Sequence, residues 1–177
     1  MNEKAKYILY LITGIIGLII SFFIYISKRK DKIIITKLSC DLIWSLNFFF
    51  KGALGYAGAI QNFIGLIREC IFYGKSKKIK FLQSKIWLFI FCLAFCSIPL
   101  LTWKEVGWYS LLPSIASVML TISLFVDNVK LSKIVVIPAC LLCILYTVLI
   151  FNLFSLIANI LILIGAIIGL IREYKSK

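Results

Sequence analysis

The chain has no histidine, three prolines and only seven acidic residues against twenty lysines and arginines. Without histidine it lacks the commonest transition-metal ligand and the usual general base near neutral pH. The few acids form no pair suited to acid–base work, so no enzymatic activity, cofactor or metal is expected. No stretch alternates polar and apolar residues over about ten positions, which excludes a transmembrane β-barrel.

What the chain has is hydrocarbon. Apolar residues make up 62% of its 177 positions, and the mean hydropathy is +1.04. A soluble domain of this size has too little interior to hide so much apolar surface, so the solvent is lipid. Backbone groups in hydrocarbon must pair within their own segment, which makes the runs helices. The net charge of +13 is carried by short lysine clusters between apolar runs. That pattern fits an anionic inner leaflet as partner rather than nucleic acid. A homo-oligomer is left open.

Six cysteines, at 40, 70, 92, 96, 140 and 143, lie inside apolar segments or at their ends, so no disulfide framework is implied. Cys140-x-x-Cys143 has redox spacing but lies at lipid depth, where thiolates are disfavoured, and reads as small core residues. The first segment lacks a small-residue cleavage site and is long enough to span, so it is expected to be retained.

Seven apolar segments follow one another: Tyr7–Ile26, Ile33–Phe50, Tyr56–Tyr73, Ile86–Leu101, Leu111–Val126, Leu131–Phe151 and Ser155–Ile171. Lys51-Gly52-Ala53-Leu54-Gly55 turns the second into the third. Pro99 is expected to limit the fourth. Trp103 and Trp108 flank a polar turn with Lys104 and Glu105, as interfacial anchors do.

The pentapeptide Gly65-Leu66-Ile67-Arg68-Glu69 recurs as Gly169-Leu170-Ile171-Arg172-Glu173. Each copy closes an apolar run ahead of lysines, which points to an internal repeat. Three crossings invert a chain, so two directly joined trios would be antiparallel. The fourth segment restores the sense, giving seven helices in a 3+1+3 plan of two parallel repeats, as in SWEET-type folds. Residues 1–73 form the first three-helix bundle. Residues 74–110 form a basic linker with the fourth helix, and 111–177 the second bundle and a basic tail. With the N-terminus outside and the C-terminus in the cytoplasm, sixteen of the twenty basic residues face inward.

The run Leu111-Leu112-Pro113-Ser114-Ile115-Ala116-Ser117, the turn Asn47-Phe48-Phe49-Phe50-Lys51-Gly52 with Ala57-Gly58-Ala59, and Arg68 at the end of helix 3 resemble the YgjV family of bacterial inner membrane proteins. By architecture that family resembles the PQ-loop, SWEET and nicotinamide-riboside-transporter group. The resemblance implies transport of a small solute without naming it. There is no Pro-Gln dipeptide here, the first half has no proline, and the aromatic-and-Asn signature of the nicotinamide riboside carriers is not evident. Coupling mechanisms of those relatives therefore do not carry over.

Asp41, near the middle of the second run, costs about 2.5–3.5 kcal/mol at the bilayer centre unless something offsets it. It reads either as a substrate- or proton-binding acid or as an interfacial partner of Lys37. Asn62 and Asn159 read as substrate contacts or as hydrogen-bonding glue between helices. Aligning the pentapeptides places Ala166, not Asn159, opposite Asn62. Asn47, with Trp44 and Ser45, and Ser117, in a stripe with Ser114 and Thr121, are weaker candidates. The proposed substrate-lining set is Asp41, Asn47, Asn62, Ser117 and Asn159. Gly14, Gly17, Pro113 and Pro138 are candidate hinges. Arg68, Glu69, Arg172 and Glu173 are expected at the cytoplasmic interface, where arginine meets helix C-termini and phosphates.

The expected function is a carrier or facilitator of a small polar solute, working by alternating access. The alternative is a non-transporting module of the same architecture, receptor-like or stabilising a partner.

Overall fold

A computed structural model describes residues 2–175. Among them lie eight α-helices: α1 (Glu3–Phe23), α2 (Lys30–Lys51), α3 (Tyr56–Ser76), α4 (Lys85–Cys96), α5 (Ile98–Val106), α6 (Leu111–Phe125), α7 (Val129–Leu149) and α8 (Leu153–Lys175). No strand occurs among the described residues. Five stretches are long and apolar enough to cross a membrane: α1, α2, the run Lys85–Phe125, α7 and α8.

Local chemistry sets several boundaries. The side chains of Asn2, Ser84 and Asn128 accept the backbone N–H groups of Lys4, Ile86 and Leu131, capping α1, α4 and α7. The α2–α3 turn is tight enough that a Cβ on Gly55 would lie 2.2 Å from the carbonyl oxygen of Phe48. Gly52 opens that turn at φ 93°, a left-handed conformation that favours glycine.

The expected fourth segment departs from the structure. Pro99 does not limit a helix; α4 stops at Cys96, and Pro99 lies in the first turn of α5. Amides of a first turn have no intrahelical partner, so proline is tolerated there. Lys104 and Glu105, expected in a turn between Trp103 and Trp108, are helical within α5. The chain turns instead at Gly107, whose φ is 63°.

Six helices pack in a closed sequence of neighbours: α1 on α2, α2 on α3, α3 on α6, α6 on α7, α7 on α8, and α8 back on α1. α4 lies outside, against α3 and α6, and α5 lies against α3 and the Ala53–Gly55 turn. Gly165 and Gly169 let α8 approach the end of α1 closely, since added Cβ atoms would come within 3.2 Å of the Phe22 carbonyl and 2.3 Å of the Tyr25 carbonyl.

The bundle is apolar outside and polar within. Ile8, Ile12, Ile15, Ile19 and Phe23 on α1 are exposed, as are Leu141, Leu145 and Val148 on α7. Lys37, Asp41, Asn47, Arg68, Glu69 and Lys133 are buried. This inversion suits a lipid solvent, where ionisable side chains turn toward the bundle interior.

Candidate functional site

A central cavity is the candidate site. Its volume is about 60 Å³, room for roughly four waters. Its wall combines Tyr25 with residues from α2, α3, α6, α7 and α8. Helix α2 contributes Lys37, Cys40, Asp41, Trp44 and Phe48. Positions 37, 41, 44 and 48 follow helical spacing, so one face of α2 looks into the cavity.

That face is graded. Lys37 and Asp41 form an ion pair one turn apart at its start. Trp44 and Phe48 follow, with ring centroids 6.2 Å apart, and Tyr146 of α7 lies 6.5 Å beyond Phe48. Trp44 is fixed because its Nε1 donates to Ser21 Oγ at 3.0 Å. Three glycines seat the stripe. A Cβ on Gly17 would come within 2.9 Å of the Trp44 ring, one on Gly58 within 2.7 Å of the Phe48 ring, and one on Gly65 within 2.4 Å of Asp41 Oδ2.

Behind Asp41 stands a second ion pair. Arg68 Nη2 lies 2.5 Å from Glu69 Oε1 and 3.7 Å from Asp41 Oδ2. Its Nη1 donates to Thr121 Oγ1 at 2.9 Å and to the Ser117 carbonyl at 3.3 Å. The guanidinium carbon is 5.1 Å from the centre of the Phe95 ring of α4. Lys37, Asp41, Arg68 and Glu69 are all buried, two cations against two anions. Such clusters persist in hydrocarbon only when each charge has a partner.

Both ends of the bundle are tied across. At one end Tyr10 Oη donates to Asn152 Oδ1 at 3.2 Å, and Lys51 Nζ donates to the Phe151 carbonyl at 3.1 Å. At the other, Lys30 Nζ donates to the Ser123 carbonyl and Ser132 Oγ at 2.8 and 2.7 Å. There too Lys75 donates to the Phe125 carbonyl and lies 2.9 Å from Asp127 Oδ1.

Of the sequence candidates, Asp41, Asn62 and Asn159 line the cavity. The amide nitrogens of the two asparagines donate to carbonyls of their own helices, Gly58 at 2.7 Å and Ser155 at 2.9 Å. Asn47 does not line it; this amide donates to the Tyr10 carbonyl and Thr13 Oγ1, joining α2 to α1. Ser117 is likewise off the wall and offers its carbonyl to Arg68.

Gly14 and Gly17 are packing positions, pressed against the rings of Phe154 and Trp44. Pro113 sits in the first turn of α6, where it removes no hydrogen bond, whereas Pro138 interrupts the middle of α7. Arg68 and Glu69 are buried in the bundle, where α4 and α6 cover them. Arg172 is exposed, and Glu173 reaches Lys133 at 3.1 Å.

The sequence reading missed Tyr25, Phe48, Gln61 and Tyr146 as wall residues. Spacing along α2 from Asp41 could have found Phe48. Tyr25 and Tyr146 carry no such signal, since each is one aromatic among many. Cys140 and Cys143 line the wall and are free thiols.

Compared with known proteins, residues 8–177 match the model of the family Imp-YgjV, described as bacterial inner membrane protein. No curated protein and no solved structure matches.

Proposed function

The chain belongs to the Imp-YgjV family of bacterial inner membrane proteins, and from that premise we propose that it is a carrier or facilitator of a small polar solute, working by alternating access. The observation that carries this reading is the central cavity, walled by α2 and α3 on one side and by α6, α7 and α8 on the other. A cavity at the meeting of two helix trios is where carriers built from repeats place their substrate.

Seven crossings in a 3+1+3 plan are part of the proposal, with α4 and α5 together as the fourth. The ties at the two ends support it. Lys51 and Phe151 place the α2–α3 and α7–α8 turns at one end; Lys30 and Lys75 place the α1–α2 loop, the end of α3 and the α6–α7 loop at the other. Parallel trios have that arrangement. The lysine clusters of the second end favour the cytoplasmic side, with the N-terminus outside. α3 is the crossing outside the five apolar stretches, and its Arg68–Glu69 pair is buried in the bundle interior. The reading is non-enzymatic.

One observation favours the non-transporting alternative: Asn62 and Asn159 each donate an amide N–H to a carbonyl of their own helix. Uptake decides between the two. Purified protein in liposomes, offered radiolabelled vitamins, sugars and amino acids, is expected to accumulate at least one solute above protein-free liposomes. Accumulation of none would favour the module.

A further inference from the structure

We propose that the solute is dipolar and net-neutral, with an ammonium and a carboxylate at one end and an apolar, planar group at the other. This rests on the carrier reading and adds the substrate class.

The charge balance of the site is the first ground. Lys37 neutralises Asp41, and Arg68 neutralises Glu69, all inside the bundle. A net-charged solute would bring an unmatched charge into this interior, or leave one member of the Lys37–Asp41 pair without its partner. Either costs about a hundredfold or more in affinity. A solute with one charge of each sign replaces the pair member for member and leaves the balance unchanged.

Spare bonding capacity is the second ground. The Tyr25 hydroxyl is fully buried, lines the cavity and has no hydrogen-bond partner among the described residues. It is a donor for a carboxylate that Lys37 attracts. Asp41 accepts the ammonium, and Arg68, 3.7 Å from Oδ2, holds that carboxylate in place when Lys37 turns to the solute. Arg68 is thus a positioning residue.

The aromatic half of the α2 face is the third. From Asp41 to Phe48 the helix rises about 10 Å, the reach of a charged head followed by one ring. Trp44, Phe48 and Tyr146 offer that ring apolar and edge contacts. The cavity, at about 60 Å³, is smaller than the roughly 150 Å³ that takes a benzene ring, so the helices part to admit the solute, as alternating access requires.

Equilibrium binding to the purified full-length protein in detergent tests the class. L-[3H]phenylalanine is the probe, with phenethylamine, 3-phenylpropionate and 3-phenylpropionamide as cationic, anionic and uncharged competitors sharing its ring. Saturable phenylalanine binding, with the amine and the acid competing about a hundredfold more weakly, is the expected result. Lys37→Gln/Asp41→Asn, which removes both charges together, is expected to bring phenylalanine down to the level of the amide while gel filtration stays monodisperse. Competition by the amine or the acid equal to that of phenylalanine, no saturable phenylalanine binding, or unchanged phenylalanine affinity in a folded double variant would each overturn the class. Uptake of a different solute in liposomes would leave the carrier reading standing in all three cases.

Discussion

The two copies of Gly-Leu-Ile-Arg-Glu, at residues 65–69 and 169–173, share their letters and part of their geometry but not their roles. In each, the glycine makes room for a charged side chain from the preceding long helix. Gly65 faces the carboxylate of Asp41 from α2, and Gly169 faces the amine of Lys133 from α7. Beyond the glycine they diverge. Arg68 is buried, bonded to Glu69 and α6 and covered by Phe95; Arg172 is exposed. The difference comes from α4, which packs on α3 and α6; among the described residues no helix packs over α8 in the same way. The repeat fixes where a glycine must be, and the unrepeated helix decides whether the arginine is structural.

The largest effect that would sharpen this contrast is at Arg68. Arg68→Ala leaves Glu69 buried without its cation and Asp41 with one fewer, which costs about 3–5 kcal/mol. The expected readout is loss of most monodisperse protein in detergent. A variant as stable as the parent would break the contrast at its root.

Glycine replacements come next. The Cβ of Gly169→Ala would meet a backbone carbonyl at 2.3 Å, whereas that of Gly65→Ala would meet the end of the Asp41 side chain at 2.4 Å. Backbone yields less readily, so Gly169→Ala is expected to lose about 1–3 kcal/mol of stability in thermal unfolding. Gly65→Ala is expected to stay nearer the parent in melting but to lose uptake by displacing Asp41. The reverse ranking of melting temperatures would contradict the packing account.

Phe95→Leu keeps an apolar cover over Arg68 and removes the ring. A loss under about 1.5 kcal/mol is expected, seen as a small drop in melting temperature. The smallest effect belongs to Arg172→Ala, within about 0.5 kcal/mol of the parent. A large drop there would mean that both arginines are structural and that α4 does not distinguish them.

Hydropathy made the helices legible, and the lysine clusters marked their ends, because lipid imposes both patterns over long stretches. The break between α4 and α5 was not legible. Pro99 signals an interruption but fits equally at the end of one helix or in the first turn of the next. Asp41 stood out because a carboxylate at that depth demands compensation. Its setting did not, since Arg68 lies twenty-seven positions away on another helix, and nothing in the order of residues says which face of α3 meets α2. Asn47 and Ser117 were sensible polar candidates, yet a single polar residue on a helix does not reveal whether it faces a cavity or a neighbouring helix. Asn47 faces α1, and Ser117 gives its carbonyl to Arg68.

Alternating access requires a cavity that opens to each side of the membrane in turn. Cys143 lies in its wall, so a variant with alanine at the other five cysteines makes it a single reporter. A small, membrane-impermeant methanethiosulfonate reagent is applied to right-side-out and to inverted vesicles. Labelling of Cys143 from both faces is predicted. Labelling from neither face, or from one face alone, would contradict it.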